Sequence, residues 1–157
     1  MDHTSHGQPT AVSWGTAASA TLHCLTGCAI GEVLGMVIGT AATLPNATTV
    51  VLSIALAFVF GYGLTMRGVL RAGVTVGAAL RVALAADTAS IALMELLDNA
   101  FVLTVPGALN AGLTSVLFWA SLAGSLVVAF VLTTPVNRWL ISRGKGHAVV
   151  HQYHQTH

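Results

Sequence analysis

Charge is what this sequence has least of. Asp, Glu, Lys and Arg make up 7% of its 157 residues, where a soluble domain carries about 25%. Water is therefore not the main solvent for this chain. Cysteine is almost as scarce. Cys24 and Cys28 are the only two, four apart in one apolar run. Side chains on adjacent turns of one helix diverge, which does not suit a disulfide between them, and the pair is not a secreted disulfide framework. The first ten residues have no basic n-region, and the apolar run behind them is too long for the core of a cleavable signal peptide. No phosphate-binding glycine loop, Ser-His-Asp order or soluble zinc spacing occurs. A net charge of +1 gives no reason to expect a nucleic-acid partner. With no extramembrane domain in view, an ordinary soluble-substrate enzyme is not expected.

What is there is apolar: 55% of the chain, in long runs. The length suits one compact bundle and no second domain. A polar tail over 1–13 holds His3 and His6. A membrane domain over 14–141 follows, with spans at about 14–44, 49–66, 80–101 and 111–133, each near or above the roughly 20 residues that cross a bilayer. A second His-containing tail runs over 142–157. Pro45-Asn46 closes the first span, and Asn46-Ala-Thr48 formally matches a glycosylation acceptor. Arg67 to Arg81 read as a basic connection, Pro106-Gly107 as a loop, and Pro135 as a kink or end of the fourth span. Trp14, Trp119, Trp139 and Tyr62 read as interface anchors or bundle filler. The fold class is an all-α, polytopic four-helix membrane bundle.

All six basic residues fall in two places: Arg67, Arg71 and Arg81, then Arg138, Arg143 and Lys145. The loops near 45–49 and 99–110 have none. The positive-inside rule puts the 67–81 connection and the C-terminus in the cytoplasm. With four spans the N-terminus is cytoplasmic too, and the cell inner membrane is the expected location.

The first span carries two stripes at four-residue spacing. One is His23, Gly27, Gly31, Gly35 and Gly39. Its glycines let another helix approach closely, within the monomer or in a homo-oligomer. The other is Cys24, Cys28, Glu32 and Met36, a row of thiol, carboxylate and thioether. The third span runs parallel to the first and holds Asp87, Met94, Glu95 and Asp98. At about 1.5 Å rise per residue, His23 and Asp87 share one depth, and Glu32, Met94 and Glu95 another. Contact between the spans would pair His23 with Asp87 and Glu32 with Glu95. A carboxylate orients a histidine, and two facing carboxylates share a proton or hold a cation.

This donor set suits a soft or borderline ion, copper first and zinc second. His23, Cys24, Cys28 and Asp87 would form an inner site. Glu32, Met36, Met94, Glu95 and Asp98 would carry the ion, or a counter-moving proton, outward. His3, His6, His147, His151, His154 and His157 would capture metal at the cytoplasmic face, since His-rich tracts bind metals. Two other classes stay open: a structural or accessory subunit whose polar residues fix helix register, and a redox or cofactor-binding protein using the Cys pair or His23.

The run His23-Cys24-x-x-Gly27-Cys28-x-x-Gly31-Glu32, followed by Asp87 and Met94-Glu95, resembles a bacterial family of small four-span membrane proteins, domain of unknown function 4396. The resemblance covers most of 14–140. It implies the four-span fold and, as a family-level hint, copper. It supplies no catalytic residues, and the histidine tails fall outside it.

Overall fold

A computed structural model describes residues 12–71 and 73–143, except the side chains of Val82, Ala83 and Ala86. The four histidines of the C-terminal tail, with His3 and His6, lie outside the described residues, as does Lys145.

The chain folds into four long helices: α1 Trp14–Ala41, α2 Asn46–Arg71, α3 Val76–Thr104 and α4 Val116–Ser142. A short 3-10 turn, Ala108–Asn110, precedes α4. Ser13 caps α1 by accepting from the Thr16 amide, and Ser115 caps α4 by accepting from Leu117. Each satisfies a backbone donor that the first turn leaves open. Gly73 and Gly107 supply the left-handed backbone, φ 85° and 82°, that the two later turns require.

Consecutive helices run antiparallel and pack as neighbours, with α4 closing against α1. Helices α1 and α3 lie diagonally across the bundle, with far less mutual contact than the adjacent pairs. One end of the bundle carries the α1–α2 turn and the 3-10 turn, joined by Asn46 Nδ2 donating to Asn110 Oδ1 at 2.8 Å. The other end carries the α2–α3 turn and both chain ends, where Arg138 Nε donates to the Val12 carbonyl at 2.9 Å.

Several boundaries differ from the sequence expectation. Arg67 and Arg71 lie on α2 and Arg81 on α3, so the basic connection shrinks to residues 72–75. The fourth helix starts at Val116, and Pro135 lies inside it rather than at its end. A proline removes one helix donor, and packing on neighbouring helices sustains the helix past it.

The packing is inverted relative to a soluble protein. Buried positions are mostly small or polar: Ala17, Thr21, Cys24, Ala57, Thr65, Asp87, Ser90, Ser125, Thr133 and Asn137. Outward positions are Leu22, Val51, Val59, Leu96, Leu103, Val127 and Val131, each more than half exposed. An apolar exterior around small interior residues suits lipid, where van der Waals packing and interhelical hydrogen bonds replace the hydrophobic drive between helices. Three helices, α1, α2 and α4, are long and apolar enough to cross a membrane. The remaining long helix, α3, is 29 residues but carries Arg81, Asp87, Glu95 and Asp98. Its three acids are buried, while its outward face shows Leu84, Leu96 and Leu103.

The glycine stripe of α1 is spent within the chain, against α2. Gly27 faces Gly61, Gly31 faces Ala57, Gly35 faces Ser53 and Gly39 faces Thr49. A Cβ at Gly27 would sit 2.7 Å from the Gly61 Cα, against backbone that cannot turn aside. Gly27→Ala is therefore expected to lower the unfolding midpoint in detergent, by the equivalent of about 1–3 kcal/mol for overpacking. Gly63→Ala, whose new methyl meets no atom within 4 Å, leaves the midpoint unchanged or raises it, because glycine costs a helix interior about 0.5–1 kcal/mol.

Candidate functional site

Packing α2 on the glycines fixes the rotation of α1. Residues 28 and 32 follow Gly27 and Gly31 by one position, about 100° around the helix, and residue 24 lies one turn earlier on the same stripe. That rotation brings them to the bundle axis, where α3 arrives from the diagonal corner. The result is a ladder of polar contacts between α1 and α3.

The first rung is Cys24 with Asp87: the thiol Sγ donates to Oδ1 at 3.7 Å. Thr65 of α2 approaches the same carboxyl. On the second rung Cys28 lies within electrostatic reach of Glu95. The third brings Glu32 to Asp98, with Glu95 nearby. Between the rungs, Ile91 and Met94 pack with Cys24 and Cys28 in one cluster. The two cysteines and Met94 are 1%, 2% and 1% exposed. Residues 87, 91, 94, 95 and 98 make one continuous inward face of α3 at helical spacing.

The rungs differ in how well they are satisfied. The Cys24–Asp87 pair has a formed hydrogen bond. The upper acids do not: Glu32 Oε1 and Oε2, Glu95 Oε1 and Oε2, and Asp98 Oδ1 are buried with no hydrogen-bond partner among the described residues. Carboxyl groups that face each other with no other donor share a proton or hold a cation between them. They border a cavity of about 220 Å³ that continues toward the α1–α2 turn. Met36, Ser53, Asn99 and Ser121 also line it. Among the described residues, no group of three or more His, Cys, Asp or Glu side chains converges as a metal site.

At the depth expected for His23 and Asp87, the thiol of Cys24, adjacent to His23, donates to Asp87, and His23 is half-buried. Glu32 interacts electrostatically with Asp98 and with Glu95. The helix admitted by Gly27, Gly31, Gly35 and Gly39 is α2, not the acid-bearing α3.

One polar node went unread in the sequence. Asn137 of α4 donates to Thr21 Oγ1 of α1 at 2.9 Å and accepts from Ser90 Oγ of α3. It joins three helices in the core. Thr65 was also unread. Both lie at the depth of the lower rung, in helices other than the pair that carries the ladder. Tyr62 and Thr88 hydroxyls, 2.9 Å apart, add a link between α2 and α3.

The family model described as Domain of unknown function (DUF4396) matches residues 13–146. The chain belongs to this family. No curated protein and no solved structure matches it. The match covers all four helices and every rung of the ladder, and it ends before the last four histidines.

Two outcomes follow from this geometry. Asn137→Leu is expected to lower thermal stability in detergent by about 0.6–2 kcal/mol, the range for interhelical hydrogen bonds in membranes, whereas Asn99→Leu leaves the three-helix link intact. Maleimide labelling of the folded protein is expected to be slow at both cysteines and to become complete on denaturation, because neither thiol is accessible.

Proposed function

We propose that this protein is a four-span inner-membrane carrier or binding protein for a transition metal ion, with copper(I) ahead of zinc. The observation that carries the reading is the sulfur cluster: Cys24, Cys28 and Met94 are fully buried together on the bundle axis. Soft thiolate and thioether ligands select Cu(I). A cluster that relies on a thioether does not depend on three converging His, Cys or acid groups. Asp87, bonded to the Cys24 thiol, is placed to take its proton when metal displaces it.

In this reading all four long helices cross the membrane. The acids of α3 lower its hydropathy but face inward, where intramembrane carboxylates mark ion pathways. Arg67, Arg71, Arg81, Arg138 and Arg143 all belong to the end that holds the chain ends, so both tails are cytoplasmic. Trp14 and Trp139 stand at this end, with Arg138 and Arg143 stacked over their rings at 4.4 and 4.7 Å. Trp119 stands near the opposite end, its indole donating to the Leu113 carbonyl at 2.8 Å. Together they make two interfacial girdles. The ion enters from the His-bearing face, is held with His23, Cys24, Cys28, Met94 and Asp87, and leaves past Glu32, Met36, Glu95 and Asp98. A homo-oligomer is compatible with the apolar exterior, but the glycine stripe no longer argues for one.

The accessory-subunit reading has its own observation, the Thr21–Asn137–Ser90 link, which holds helix register without any ligand. Metal analysis separates the two. Protein purified from copper-supplemented cells is expected to carry stoichiometric copper, lost in Cys24→Ala/Cys28→Ala and reduced in Met94→Leu, with lowered cellular copper tolerance in the double variant. Copper-free wild-type protein, with metal tolerance unchanged by the double variant, rejects the metal reading and leaves the accessory role.

A further inference from the structure

The cavity at the top of the ladder asks for a ligand unlike a soft metal ion. Its volume of about 220 Å³ is many times the roughly 10–15 Å³ that admits a single water. A bare ion would fill a small part of it. Its wall combines acids from α1 and α3 with the hydroxyl and amide groups of Ser53, Asn99 and Ser121. Val50, Val102, Phe118 and Leu122 supply apolar wall elsewhere.

The acid side is unusually demanding. Glu95 and Asp98 are only 4% and 6% exposed. Together with Glu32 they present five buried carboxyl oxygens that lack a hydrogen-bond partner among the described residues. Buried charge requires a counter-charge, and buried acceptors require donors. A protonated primary amine supplies both through one small head with three N–H groups. A quaternary ammonium supplies charge without donors. An apolar body behind the head would cover the remaining wall, as small-molecule sites commonly require.

We propose that this cavity binds a primary ammonium carried on an apolar body, an alkylamine or arylalkylamine in its charged form. The head lies among Glu32, Glu95 and Asp98, and the body lies along Val50, Val102 and Phe118. The site goes beyond the metal reading and does not rest on it: its acids are those of the exit path proposed above, while the metal itself would be held by the separate sulfur cluster of Cys24, Cys28 and Met94.

The test is calorimetric titration of the full-length protein in lipid nanodiscs with 2-phenylethylammonium. Saturable binding is expected. It weakens by about tenfold or more, equal to about 1.4 kcal/mol or more, in Glu95→Gln and in Asp98→Asn. Val102→Trp, which occupies the cavity and leaves the acids in place, is expected to abolish binding, and it keeps the test valid where a carboxyl variant fails to fold. 2-Phenylethanol, with the same body and no charge, and tetraethylammonium, with charge and no donor, are each expected to bind at least about tenfold more weakly. Cys24→Ala/Cys28→Ala retains amine binding. Copper content measured on the same samples reads the metal proposal separately, so either can fail alone. Absence of saturation, equal binding of 2-phenylethanol or tetraethylammonium, or undiminished binding in Glu95→Gln or Val102→Trp overturns the inference.

Discussion

The backbone contact between α1 and α2 is the constraint from which the rest of the bundle follows. Four glycines at strict spacing bring α1 against Gly61, Ala57, Ser53 and Thr49. A helix seated on one face by backbone contact has no rotational freedom left. The next residue on every turn is then committed to a single direction, here the bundle axis. Cys28 and Glu32 are inward because Gly27 and Gly31 are sideways, and Cys24 continues their stripe one turn earlier. Lipid provides no hydrophobic drive for helix association, so shape at this one seam sets the geometry that a hydrophobic core would set in water.

The same seam explains why so polar an interior is tolerable. Narrow spacing between α1 and α2 leaves α3 at the diagonal, and its long acidic side chains reach across the axis. Lower in the bundle Asp87 accepts from the Cys24 thiol, and the Thr21–Asn137–Ser90 relay links three helices near the same depth. Higher up Glu32, Glu95 and Asp98 meet each other and a cavity. Burying a carboxyl without a donor is expensive in any low-dielectric medium.

Much of this was legible in the residues. Scarcity of charge identified a membrane chain, and four-residue spacing gave both stripes of α1. Depth counting along α1 and α3 paired the right levels. Rotation about the helix axis was not legible, because a stripe states which residues share a face but not which neighbour that face meets. The glycines therefore admitted a helix in the sequence reading without naming α2. Helix ends were also misjudged where Arg67 and Arg71 were assigned to a connection by polarity. Nothing in its own segment marks Asn137 as buried, and only packing shows that it joins three helices. The cavity itself depends on how four helices diverge toward the 3-10 turn, which no single segment encodes.

The bond from Arg138 to the Val12 carbonyl has a consequence for the helices it joins. The same guanidinium stacks on the Trp14 ring. One side chain near the end of α4 therefore clasps the start of α1, so the first and last helices of the bundle are fastened at their outer turns by a single residue, and its loss would release both together.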